Sequence, residues 1–302
     1  MVKSQIINIL KFITILLSFW FVGSKIFLHL DWLLESGVSF KLIIIICISI
    51  TVYSLGQFFL SLAWRNLLLI CGHKYISRNV CNSIYGKTQI AKYMPGNVFH
   101  FVGRHILGVK EGINNMVLVG ATIYEILGLL TSSLIIGLSG VVIFDLGNIY
   151  FSFNQMIIIL TSIIVATCAL TAIAPYLMRL RDIILPKYGI IKSLYNIIKT
   201  YLFYFSFFII VGLLFALIVN YFFHIDFIIA TKLITIFSIS WLLGFIIPGA
   251  PGGIGVREAA LIFFTAPIIG EAESVLVAII LRLVTLFGDL MFFVLSSKKY
   301  NL

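Results

Sequence analysis

Six ionisable residues stand where an apolar chain should carry none. Arg257 and Glu258 close the run FIIPGAPGGIGVRE (245–258), in which Pro248, Pro251, Gly252, Gly253 and Gly255 break any helix between two apolar stretches. Arg282 and Asp289 lie seven residues apart in the last apolar stretch, which places them on one helix face two turns from each other. Glu125 lies about ten residues into another such stretch, on the order of 15 Å deep at the helical rise. A bare carboxylate at that depth is costly, so it must be paired or protonated. Arg104 ends a second Pro/Gly motif, KYMPGNVFHFVGR (92–104).

The chemistry these residues suit is the holding of an anion. Backbone that is not helical at membrane depth leaves amides unpaired, and it persists only where it is buried in protein or lines a polar cavity. Amides at a helix start carry partial positive charge. With arginines beside them they fit a phosphate, and a lipid headgroup is the phosphate most at hand in a bilayer. The expected headgroup-binding set is Arg257, Glu258, Arg282, Arg104, Gly252, Gly253, Gly255, Pro248 and Pro251, while Glu125 and Asp289 are candidates for an intramembrane charge or proton relay. A structural reading competes: the three arginines pair with Glu125, Glu258 and Asp289 and simply hold a bundle together.

The elements that must position these groups are helices in a bilayer. Of 302 residues, 61% are hydrophobic and 11% charged, and the mean hydropathy of +1.15 lies outside the range of a soluble domain. Stretches long enough to cross a hydrocarbon core of about 20 residues occupy 6–30, 42–63, 116–144, 156–174, 201–223, 227–247 and 275–295. A shorter one, 259–269, follows the Pro/Gly break directly. The expectation is an all-α, polytopic integral membrane protein of about eight transmembrane helices with two Pro/Gly-broken, re-entrant segments, forming one transmembrane domain over 1–302. The first stretch follows Lys3 but lacks a small-residue cleavage site before Asp31, and it reads as a retained span.

The net charge of +10 is informative by its placement. Arg65, Lys74, Arg78, Lys87, Lys92, Arg104 and Lys110 follow the second stretch; Arg179, Arg181, Lys187, Lys192 and Lys199 follow the fourth; Lys298 and Lys299 come last. Asp31, Glu35, Asp145, Asp226, Glu271 and Glu273 occupy the alternate connections. The positive-inside rule places both termini in the cytoplasm and the chain, multi-pass, in the cytoplasmic membrane. These basic loops read as topology signals touching anionic headgroups. Nucleic acid is not an expected partner, because no soluble module presents such a surface.

Other patterns carry less. Gly86-Lys87-Thr88 resembles the end of a Walker A loop, but Cys81 stands where that loop needs glycine, so no ATP site is expected. His100 and His105 are five apart, not a metal-binding spacing on a helix, and read as interfacial or core histidines. No metal or cofactor is expected. Cys47, Cys71, Cys81 and Cys168 form no CxxC pair and read as free thiols. Lys11, Lys25 and Lys232 lie near span ends and can snorkel. The run Tyr201, Phe203, Tyr204, Phe205, Phe207, Phe208 reads as lipid-facing surface. The two Pro/Gly motifs sit at matching places in two halves of the chain, which would be parallel repeats, and interrupted segments so placed point to a transporter binding site.

The motifs 92–104 and PGAPGGIGVRE (248–258), with RLVTLFGD (282–289) in the last stretch, resemble those of the lysylphosphatidylglycerol synthase transmembrane family over essentially the whole chain. In the multiple peptide resistance factor, a domain of this kind is the flippase half. The resemblance implies lipid handling without naming the lipid. The sequence ends at Leu302 with no aminoacyl-transferase domain, so lysylphosphatidylglycerol synthesis by this chain alone is not expected.

The leading expectation is a lipid flippase of the cytoplasmic membrane. It would move an anionic phospholipid or polyprenyl-linked glycan through a polar cavity between the two broken segments. It would be driven by a gradient, by proton coupling through Glu125, or by nothing beyond equilibrium scrambling. The alternative is a membrane enzyme or accessory subunit in cell-envelope lipid or glycan synthesis acting on a lipid-linked sugar, with a carboxylate such as Glu258 as base. No aspartate pair offers the usual cation site of such transferases, and no residue is assigned a catalytic role. The sequence leaves open whether the chain works alone, as a homodimer, or beside a separate synthase or glycosyltransferase.

Overall fold

Helix caps divide the chain where the apolar stretches end. A computed structural model describes residues 39–94, 98–144, 190–247 and 251–297, with Ser24 and Phe27 as isolated helical positions. The hydroxyl of Ser39 accepts from the Leu42 amide at 3.2 Å and starts α1, Phe40–Ile70. Ser77 does the same for α2, Arg78–Gln89, which runs into a 3-10 turn at Ile90–Tyr93. Helices α3, Phe99–Lys110, and α4, Asn115–Phe144, follow, and then α5, Ile190–Phe222. The Asp226 carboxylate caps α6, Phe227–Ile246, accepting from the Ile229 amide at 2.7 Å. A 3-10 turn at Pro251–Gly253 leads into α7, Val256–Ile269, and α8, Glu271–Ser297, completes the set. These caps satisfy amides that a helix start leaves without partners.

Among the described residues there is no strand, and five helices are long and apolar enough to cross a membrane: Phe40–Ile70, Asn115–Gly140, Tyr195–Phe222, Phe227–Ile246 and Glu271–Ser297. They correspond to five of the eight expected stretches. Apart from Ser24 and Phe27, the stretches 6–30 and 156–174 lie outside the described residues. The shortened one is α7, whose 14 residues span about 21 Å, less than a hydrocarbon core of roughly 30 Å.

Two expectations are corrected. Arg65, Lys192 and Lys199, read as loop charges, lie inside helices α1 and α5, which outrun their apolar cores. Arg65 holds its place by donating from Nε to the Ile76 carbonyl at 2.9 Å. The aromatic run of α5 is not simply lipid-facing: Tyr204, Phe207 and Phe208 are buried, and Leu202, Ile209 and Leu213 are the exposed side. Positions 204, 207, 208, 211 and 215 recur at helical spacing and form one buried face. Helix α5 packs against α1 and α6, and α8 packs against α1, α2 and α7.

Small residues set the closest approaches, as expected where packing rather than water exclusion must hold helices together. A Cβ on Gly212 of α5 would lie 2.8 Å from the Ile234 Cα of α6, and that neighbour is backbone, which cannot swing aside. Gly212→Ala is therefore expected to destabilise the bundle by about 1–3 kcal/mol, read as a lower thermal midpoint in detergent. A midpoint equal to wild type would mean that α5 and α6 are not in this contact.

Candidate functional site

The two Pro/Gly motifs, 92–104 and 248–258 in sequence, meet in space. A Cβ built on Gly252 would lie 3.1 Å from Tyr93 Cδ1, so the second break passes directly over the first 3-10 turn. Gly252 and Gly253 adopt φ of 57° and 73°, a backbone region that favours glycine. Gly253 also runs close to Gly244 of α6, where its Cβ would stand 3.2 Å from the Gly244 oxygen. The tips of both motifs, 95–97 and 248–250, lie outside the described residues, and Pro248 with them; of Pro251 only the backbone is described.

Between the motifs lies a cavity with about 750 Å³ of atom-free space, its open mouth included. The first motif contributes Lys92, Tyr93, His100 and Arg104, the second Gly252, Gly253 and Arg257, and α8 contributes Arg282. Aromatic walls come from Tyr53, Tyr85, Phe207, Phe237 and Trp241.

The ion pairs around this cavity are not those expected from the arginines and carboxylates alone. Arg104 Nη1 pairs with Glu125 Oε1, which also accepts from the Tyr85 hydroxyl at 2.9 Å. The Arg104 guanidinium lies 4.1 Å from the Tyr85 ring centroid. Arg282 Nη1 lies 3.2 Å from Glu258 Oε1 and donates to the Gly252 carbonyl at 3.3 Å. Asp289, fully buried, is held by Lys92 Nζ at 2.7 Å rather than by an arginine. Its carboxylate further accepts from the hydroxyl of Tyr93 at 2.6 Å, the Gln57 amide at 3.0 Å and the Tyr53 hydroxyl at 3.3 Å. Lys92 thus takes the third carboxylate, and Arg257 is left over.

Among the described residues no carboxylate lies within ion-pair distance of Arg257. Its side chain is buried, with 8% of the residue exposed, its Nε has no hydrogen-bond partner, and its guanidinium lies 5.3 Å from the Phe237 ring centroid. Among the described residues, Lys92, Arg104, Arg257 and Arg282 face Glu125, Glu258 and Asp289, which leaves one positive charge uncompensated. His100 does not add to it: burial, with Arg104 and Lys92 nearby, holds the imidazole well below its ordinary value, so it is neutral.

Helix α7 does not offer a free N-terminus, contrary to the expected anion corner. Glu258 Oε2 accepts from the Gly255 amide at 2.6 Å, so the chain's own carboxylate occupies that end. With Oε1 on Arg282, Glu258 works as a cap and a tether between α7 and α8. Gly255, at φ 85°, makes the turn that allows this.

Of the expected set, the structure gathers Arg104, Arg257, Arg282, Gly252 and Gly253 at the cavity, with Glu125, Glu258 and Asp289 directly behind as their neighbours' partners. Sequence reasoning missed Lys92 as a site residue, and placed both it and Arg104 among topology charges. The signal was available: both lie inside the Pro/Gly motif rather than in a hydrophilic loop. It also missed Gln89, whose amide donates to Gln57 at 3.4 Å and whose Oε1 is buried without a partner. His105 bonds Asn115 away from the cavity.

Burial pulls the Lys92 ammonium down from its usual range, and Asp289 pulls it partly back up. Tyr93 is raised by burial and by Asp289, so it keeps its proton longer than a free phenol. Above the Lys92 value the cavity loses a positive charge and Asp289 loses its counter-ion. Anion affinity is therefore expected to fall as pH rises through the lowered Lys92 value, and Lys92→Arg, whose guanidinium stays charged, is expected to flatten that profile. Identical pH profiles for the two proteins would contradict the assignment. A comparison of this chain with models of protein families, with characterised proteins and with solved structures finds no match.

Proposed function

We propose that this chain is a lipid translocator, and that its cavity takes the phosphate of a lipid headgroup while the acyl chains stay in the bilayer. The observation that carries the reading is Arg257: a buried guanidinium without an acidic partner among the described residues, facing a polar cavity inside a bundle of membrane-type helices. A buried charge is retained at a cost unless something pairs with it. A phosphate oxygen is the partner that arginine geometry suits, and a cavity walled by apolar helices is where a lipid can present one.

The finer parts of this reading rest on sequence. They are about eight crossings, re-entrant Pro/Gly segments, both termini in the cytoplasm, residence in the cytoplasmic membrane, and the resemblance to the lysylphosphatidylglycerol synthase transmembrane family. Glu125 and Asp289 are proposed as the intramembrane relay for any proton coupling. Each is engaged by a cation in this state, so a relay would require Arg104 or Lys92 to move onto the ligand.

The test is leaflet accessibility of extracted native lipids in proteoliposomes, wild type beside Arg257→Gln. Faster movement of one lipid class with wild type, lost in the variant, is the expected result. Movement of no lipid by folded wild-type protein would end the translocator reading.

A further inference from the structure

Which headgroups fit follows from the groups at the cavity that are already taken. We infer, resting on the translocator reading above, that the site selects a headgroup carrying one negative charge, no fixed cation, and free hydroxyls: a phosphodiester bearing a neutral polyol.

A cationic or zwitterionic headgroup needs a carboxylate or an open aromatic face for its positive end. The three carboxylates at the cavity each have their charge matched by a cation of the chain: Glu125 by Arg104, through Oε1 alone, Glu258 by Arg282, and Asp289 by Lys92 with three neutral donors besides. Several of the aromatic faces are engaged as well. Tyr93 carries both Lys92 and Arg282 at 5.3 Å, Phe237 carries Arg257, and Trp241 stacks on Phe245 at 5.1 Å and 12°. An aminoacylated or amine-bearing headgroup would place its ammonium beside Arg257 with nothing to oppose it.

The surplus of one positive charge matches one negative charge. A phosphodiester supplies that; a terminal phosphate or a diphosphate brings a further charge into a buried site where, among the described residues, no cation is free to meet it. Hydroxyls are asked for by what is left unsatisfied. Gln89 Oε1 and His100 Nδ1 are buried at the cavity without partners, and Arg282 Nη2 is a buried donor without an acceptor. A polyol hydroxyl donates to Gln89 Oε1, accepts from Arg282 Nη2, and donates to or accepts from His100 Nδ1 according to the tautomer, whereas an alkyl headgroup leaves all three as they are.

The test measures binding separately from movement. Full-length protein in nanodiscs of phosphatidylcholine is titrated with chain-matched phosphatidylglycerol, phosphatidylethanolamine, lysylphosphatidylglycerol, phosphatidic acid and phosphatidylmethanol, and the same lipids are followed across proteoliposomes. Phosphatidylglycerol is expected to bind about tenfold tighter than each of the other four, with Gln89→Leu closing the gap to phosphatidylmethanol alone. Equal or tighter binding of an amine-bearing lipid overturns the inference, as does no binding of any of them. Selective binding without transbilayer movement leaves the selectivity standing and sinks the translocator reading. Soluble glycerophosphoglycerol that competes at the same concentration as the lipid keeps the recognised chemistry and moves its source from the membrane to the aqueous phase.

Discussion

Arg257→Gln is expected to weaken headgroup binding by roughly 10- to 150-fold, the loss of a charge-assisted hydrogen bond of about 1.5–3 kcal/mol, while folding stability is unchanged or slightly raised. The two halves of that expectation have one cause. Among the described residues Arg257 makes no ion pair, so its removal strands no carboxylate and relieves an uncompensated buried charge. The packing of its Cβ beside Gly244 is kept by glutamine, and only the guanidinium's place over Phe237 is given up. Binding and thermal midpoint measured on the same purified protein check both parts. A large fall in the midpoint would mean that Arg257 is scaffold.

Arg104→Gln is expected to do the reverse, destabilising the protein by about 3–5 kcal/mol, because it leaves Glu125 buried and charged with one tyrosine hydroxyl for company. Glu125 is 1% exposed and its Oε2 already lacks a partner, so nothing nearby can take over. The double variant Arg104→Gln with Glu125→Gln is expected to recover most of that loss, since two neutral amides can bond each other where a lone carboxylate cannot. Chemical denaturation of the two singles and the double in one detergent reads the coupling directly. Additive losses would show that the pair is not coupled.

The contrast between these two arginines marks the boundary of what the residues alone reveal. Both were visible as charges in apolar surroundings, and both sit in Pro/Gly motifs whose meeting in a cavity could be anticipated from their matching positions. Which of them is paired could not be. Three arginines and three carboxylates suggest three pairs, and only the fold brings Lys92, a residue from the first motif, to Asp289 on α8. A lysine stem of four carbons reaches over a 3-10 turn in a way that spacing along the chain does not encode. The aromatic face of α5 was misread for a related reason. In a bilayer the lipid-facing and protein-facing sides of a helix are both apolar, so hydrophobic periodicity that would orient a soluble helix carries little information. Tyr204 is inward where Gly128 of α4 leaves it room, Phe207 where Gly56 of α1 does, and Phe208 packs against Phe237 and Trp241 of α6. The five described spans, by contrast, were legible from length and hydropathy, and the caps at Ser39 and Asp226 lie within three residues of the expected starts.

The most direct measurement is an experimental structure of the full chain in nanodiscs holding its own lipids, resolved well enough to see the neighbours of Arg257. The expected result is a phosphate within hydrogen-bond distance of the Arg257 guanidinium, with Asp289 still on Lys92 or released by it. An Arg257 paired instead with a carboxylate of this chain, in a cavity that holds no lipid headgroup, would contradict the proposed function at its root.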